Sequence, residues 1–167
     1  MNKGLSEKLK KAFPNIILIK RPINIVEEIK NPQWLVGFVS GEGCFHIHYR
    51  KSVHITRKPK IYLEFSISQH VRDILLFNTI KDYLGCGLVE QKKTRPDSVL
   101  FVVYKFNDIF DKILPFFDKN LLWGIKRLDY LDFRKVALIM KNKAHLTEKG
   151  ISDIYQIKSN MNKGRIL

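Results

Sequence analysis

A single carboxylate, Glu42, sits between Gly41 and Gly43 at the end of an apolar stretch, Trp34-Leu35-Val36-Gly37-Phe38-Val39-Ser40. Gly37 and Gly41 are four residues apart, which puts both on one face of a helix. Without side chains at these positions a second helix can approach closely, the geometry familiar from small-xxx-small pairs. Glu42 then lies at the foot of a helix–helix seam, and if the partner helix is a copy of this one, two carboxylates meet on the two-fold axis. Paired acids are costly unless cations neutralise them, so the pattern calls for a divalent metal. The competing reading is an ordinary surface acid. A carboxylate at a helix C-terminus is disfavoured by the helix dipole, however, so its place there asks for a reason. The seam expected from the pattern uses Leu35, Gly37, Phe38 and Gly41.

The elements that position this carboxylate follow from pattern. Pro32 suits the first turn of the helix that ends at Glu42. From Cys44 the period switches to two, with Phe45, Ile47 and Tyr49 on one strand face and Cys44, His46, His48 and Arg50 on the other. A second strand, residues 60–68, alternates in the same way, and residues 87–92 and 98–104 read as a hairpin around Arg95-Pro96-Asp97. Residues 73–84 form an amphipathic helix ended by Gly85. Helices are also expected over 107–117, 124–141 and 147–160, the last capped by Thr147. Ahead of these elements, residues 6–12 form a short helix capped by Ser6 and stopped before Pro14, and residues 15–31 read as an extended arm. The division expected is therefore a helix and arm over 1–31 and a domain over 32–167. The order of elements implies an α+β fold, one four-stranded antiparallel sheet with helices on one face.

The uncovered face must carry the polar sides of the strands. Its candidates for reading base edges are Cys44, His46, His48, Arg50, Tyr62, Glu64, Ser66, Ser68, Leu88, Glu90, Lys92, Ser98, Leu100 and Val102. A β-ribbon fits the major groove, where such groups discriminate bases and apolar ones meet thymine methyls. An ordinary wet sheet face is the bland alternative. Cys44, His46 and His48 share a face and invite zinc, but a structural zinc needs a fourth ligand and nothing brings Cys86 there. Arg72 and Lys105 are candidates for phosphate contacts.

The charge weighs against the bland alternative. The 167 residues carry 30 basic and 16 acidic side chains, a net charge of +14, which calls for a polyanion and most simply nucleic acid. A membrane surface is the rival, yet no apolar run approaches a membrane span and the basic residues are not gathered on one amphipathic helix. No secretory signal is visible, and two cysteines make no disulfide framework. No small-molecule substrate is called for.

Residues 35–43 resemble the signature of the LAGLIDADG homing endonucleases, with Glu42 at its final acidic position and Ser40 in place of an earlier acid. The resemblance runs through residues 1–165, including Phe65-Ser66-Ile67-Ser68-Gln69, Tyr83-Leu84-Gly85-Cys86-Gly87 and Asn160-Met161-Asn162-Lys163-Gly164-Arg165. It is greatest to the second half of fungal organellar enzymes that carry two motifs, whose linker the opening Asn2-Lys3-Gly4-Leu5 resembles; this chain has one motif. The resemblance implies the αββαββα core with a curved sheet, and a site-specific double-strand DNA endonuclease. It implies Mg²⁺ held by Glu42 and the Gly41 carbonyl, with Ca²⁺ or Mn²⁺ able to substitute for binding. Gln69 would position water and Lys126 would be the active-site lysine. A single motif makes half a site, so a homodimer on a near-palindromic target is expected, or pairing with a missing second half. Mitochondrial origin is implied by the resemblance alone. The alternative is a non-cleaving member of the same fold, an RNA-splicing maturase or a DNA-binding regulator. Such members usually lose the motif acid, which is present here.

Overall fold

The computed structural model describes residues 6–16, 28–50, 59–91 and 93–165. Helix α1 (Glu7–Ala12) is capped by the Ser6 hydroxyl, which accepts the Leu9 N–H. Most of the expected arm, the 51–58 connection and Lys92 lie outside the described residues. Helix α2 (Pro32–Glu42) has proline in its first turn and the Asn31 side chain accepting the Gln33 N–H. It passes without a loop residue into β1 (Gly43–Arg50). Strand β2 (Lys60–His70) runs two residues further than its alternation indicated. After a 3₁₀ turn come α3 (Ile74–Leu84), closed by Gly85 at a φ of 63°, then β3 (Leu88–Gln91) and β4 (Ser98–Val103). That positive φ is the left-handed cap glycine supplies.

The helix expected over 107–117 is three pieces: α4 (Phe106–Asp108), a π turn (Ile109–Ile113) and α5 (Leu114–Lys119). Helix α6 (Ile125–Lys141) and helix α7 (Glu148–Ser159), capped by Thr147, complete the set with short 3₁₀ turns at Ala144–Leu146 and Asn162–Gly164.

The sheet is antiparallel in the order β1-β2-β4-β3, so β2 and β4 are central. Its inner face carries Phe45, Ile47, Leu63, Phe65, Ile67 and Phe101, which join Phe77 of α3, Phe117 of α5 and Phe133 of α6 in one core. Phe45 sits at the middle, its ring 5.1 Å from Phe65 and 5.5 Å from Phe117. This is the α+β layer expected from the order of elements. No described helix is long and apolar enough to cross a membrane.

Helix α2 corrects one expectation. Leu35, assigned to a seam with a partner, is fully buried in the chain's own core with Val36 and Val39. The helix is apolar nearly all round, and its sequence does not mark which stripe turns inward. The opposite side presents Trp34, Gly37 and Gly41 to solvent, with Phe38 half-buried and stacked on Trp34 at 5.3 Å. A Cβ built on Gly37 or Gly41 meets nothing within 4 Å.

Candidate nucleic-acid interface and catalytic residues

The junction between α2 and β1 fixes the acid. Glu42 is the last helical residue, exposed, and has no side-chain partner among the described residues. Gly43 follows, buried, and its N–H is donated to the Val39 carbonyl. A Cβ at Gly43 would stand 2.5 Å from Val39 Cγ1 and 2.7 Å from the Val39 oxygen, so the turn from helix to strand closes only on glycine. The Gly43 carbonyl accepts from Lys126 Nζ at 2.6 Å. Lys126, in the first turn of α6, is thereby held one residue from the carboxylate although 84 positions separate the two in sequence.

Gln69 stands near the end of β2. Gly43 pairs with Ile67, so the register carries Gln69 past the start of β1, toward the Gly41–Glu42 end of the sheet. Its Oε1 accepts the His70 N–H at 3.0 Å. By strand parity it lies on the side of Phe65 and Ile67, not with the outward-facing set.

The outer face is organised by cross-strand rows. One row reads Cys44, Ser66, Val102, Leu88, and the next Ser68, Leu100, Glu90. A third joins His46 to Glu64, and His48 lies opposite Tyr62. In this last region His48 Nε2 is 2.8 Å from Glu64 Oε2, His48 stacks on Tyr62 with centroids 4.1 Å apart, and the Arg50 guanidinium stands 5.7 Å over the Tyr62 ring. Rings and ions thus brace one another, which presents the Glu64 and Arg50 groups on a stiffened platform. Burial, the neighbouring His48 and Lys158 hold His46 below its ordinary value, Glu64 opposing them. Burial raises the Cys44 thiol and pushes Cys86 up to about 11, so both are poor thiolate donors. With His48 engaged by Glu64, the Cys44, His46 and His48 set has little to offer zinc, and no group of three metal-ligating side chains occurs among the described residues.

Two expected base readers are inaccessible. Val102 is fully buried and Ser66 is 7% exposed. Parity puts both on the outer face, but they are short side chains on the two central strands and are flanked from both sides. Leu88, on the edge strand β3, stays 56% exposed, and Leu100 is half-buried. Ser68 is exposed, and Glu90 and Ser98 are half-buried. Arg72 and Lys105 are exposed, with Arg72 Nε 3.7 Å from Asp73. Tyr104 was not among the expected readers. It is exposed and continues the parity of Leu100 and Val102, a signal present in the sequence. Burial and the nearby Glu90 and Glu64 raise its phenol, leaving a hydroxyl donor.

The closing Asn160-Met161-Asn162-Lys163-Gly164-Arg165 segment clamps α6 to β1. Arg165 donates to Asp129 at 2.9 Å and Asp132 at 2.8 Å. Asn162 donates its backbone N–H to Asp129 and its side-chain amide to the Phe45 carbonyl. Because α6 carries Lys126, this clamp also sets the lysine against β1.

The sequence profile described as LAGLIDADG endonuclease matches residues 35–137. The chain is 39% identical to probable intron-encoded endonuclease 2 of Neurospora crassa, over 96% of this chain and 36% of the relative. It is 33% identical to an uncharacterized protein in ND4 intron 1 of Podospora anserina, over 71% of this chain and 26% of that protein. Among solved structures, the I-SmaMI LAGLIDADG homing endonuclease bound to cleaved DNA superposes with a TM-score of 0.90 at 44% identity, covering 99% of this chain and 55% of that one. I-GzeII in complex with its DNA target gives 0.88 at 40% identity, with 99% and 55% coverage. The chain thus spans about a third of the first relative and about half of each solved enzyme.

Proposed function

Because the chain belongs to the LAGLIDADG endonuclease family, we propose that it is a subunit of a site-specific double-strand DNA endonuclease that hydrolyses phosphodiesters with a divalent metal. One observation carries the reading. An exposed, unpartnered carboxylate, Glu42, ends a helix whose exposed stripe is Trp34, Gly37 and Gly41, and Lys126 is pinned beside it on the Gly43 carbonyl. The open stripe supports assembly through α2, with a second copy on a near-palindromic site or with the second half of a two-motif enzyme. Trp34 joins Gly37, Phe38 and Gly41 in that interface, and Leu35 leaves it.

The donor set fits a hard cation. Glu42 offers carboxylate oxygens, and Gly41 lies in the last helical turn with no residue four positions on in the helix to donate to its carbonyl. Mg²⁺ takes few ligands from protein, and one acid per subunit fits a site completed by a second subunit. When bound, such an ion neutralises the phosphate and the oxygens of the displacement. Lys126 brings its side-chain nitrogen next to the scissile region, and Gln69, at the same end of the sheet, orients water. The outer face reads bases through Arg50, Glu64, Tyr62 and Leu88, with Arg72 and Lys105 on phosphates. That I-SmaMI was solved on uncleaved DNA with calcium supports a metal-dependent step. The intron-encoded relatives support an organellar, mitochondrial origin.

Glu42→Gln keeps shape and removes charge. On a target selected from a randomised duplex library, the variant should bind like the unmutated chain and lose Mg²⁺-dependent cutting. Cutting at the unmutated rate overturns the assignment.

A further inference from the structure

Along the free edge of β1 runs an open groove of about 760 Å³ whose lining includes Cys44, His46, Lys126, Lys158, Ser159 and Lys163. One wall is the outer side of β1 and the other is the end of α7 with the turn that follows it. Three of the lining residues are lysines. The acid among the lining residues, Asp129, is 3% exposed and already satisfied by Arg165 and the Asn162 N–H. Lys158 and Lys163 have no ion pair among the described residues, and Lys158 is near enough to His46 for its charge to be felt there. The groove therefore begins at Lys126, next to the carboxylate, and leads outward beside the base-reading face with uncompensated positive charge.

We propose that this groove is a phosphate track in which Lys158 and Lys163 hold one backbone strand of duplex DNA along the β1 edge and lead it toward Lys126. The inference rests on the DNA-binding reading above, but on none of its chemistry. The contacts are with phosphates, so they are independent of sequence. Their geometry is stable because Asn162, between the two lysines in the chain, is tied to Phe45 and Asp129. The lysines themselves hold no part of that clamp, so removing them leaves the fold intact.

The test uses the 167-residue chain and a random-sequence duplex of about 30 base pairs, titrated at several salt concentrations without Mg²⁺. Each phosphate contact contributes about −0.9 to the slope of log K against log salt. Lys158→Gln and Lys163→Gln should each flatten the slope by about one, and the double variant by about two, with an unchanged melting temperature. Lys149→Gln is the control. Lys149 is exposed on the same helix and nine residues from Lys158, hence on its opposite face, and its loss should leave the slope unchanged. Slopes equal to the unmutated protein's, or an equal change in Lys149→Gln, overturn the track. An effect confined to an RNA duplex of the same length overturns it too. Failure of the unmutated chain to bind any duplex would remove the DNA reading and the track together. Duplex binding with the expected slopes but no cleavage of a selected target would remove the nuclease alone.

Discussion

On the inner face of the sheet Phe45, Phe65, Ile67 and Phe101 are fully buried, while on the outer face His46, His48, Tyr62 and Glu64 are half-buried and Arg50 and Ser68 are exposed. The two faces use the same strands and the same period, but different means of holding side chains in place. Inside, rings of the sheet pack on rings from α5 and α6. Outside, polar groups are ordered by one another, as in the stack of Arg50 on Tyr62 on His48 and the His48–Glu64 bond. A face can thus stay open to a partner and still be stiff.

The contrast is broken most forcefully from inside. Phe65→Ala should cost roughly 3–5 kcal/mol of unfolding free energy, because the ring's removal leaves a cavity among Phe45, Phe101 and Phe117. Urea unfolding measures it, and a loss below about 1 kcal/mol would mean the core collapses around the site.

A finer test uses two residues two positions apart on one strand and one face. Val102→Ala should cost roughly 1.5–3 kcal/mol, since it removes two fully buried methyl groups at about 0.8 kcal/mol each and leaves a cavity. Leu100→Ala, at a half-buried site, should cost clearly less, and should weaken binding of a selected target at one base position. Equal stability losses would show that the outer face is uniformly wet or uniformly dry.

The smallest effect is in pH. His46 is held below the ordinary histidine value of about 6.5. The unfolded chain then takes up the proton more readily than the folded one. Stability associated with the neutral ring is full above the ordinary value and is lost as pH falls through the lowered folded value. Melting temperatures at pH 7 and 5 should drop less for His46→Gln than for the unmutated chain, with His48, Glu64 and Lys158 unchanged. An equal drop would place the acid sensitivity elsewhere.

Much of this was legible in the chain. The alternation at Phe45, Ile47 and Cys44, His46, His48 is a local signal, and so are the caps at Ser6 and Thr147. What stayed hidden depends on neighbours. The burial of Ser66 and Val102 needs the knowledge that β2 and β4 are central. The inward turn of Leu35 needs a core to choose between two apolar sides of one helix. The π turn at Ile109–Ile113 has no period of its own to announce it. Of the candidate site, Glu42 could be reasoned from its glycines, whereas Lys126 and Gln69 stood on resemblance. The contact of Lys126 with Gly43 joins residues 83 positions apart, and no local pattern encodes it. Lys158 and Lys163 were hidden for the same reason, since only the folded C-terminal segment brings them to β1.

The absence of any linker between α2 and β1 has a consequence for how such a protein can change. Gly43 admits no Cβ against Val39, and its carbonyl is occupied by Lys126, so the joint has no slack. The acid and the strand beside it move as one piece, like a blade forged onto its handle. If the outer face reads DNA as proposed, a lineage adapting to a new target cannot tilt that surface without displacing Glu42. It is left to exchange side chains on a frame of fixed pitch.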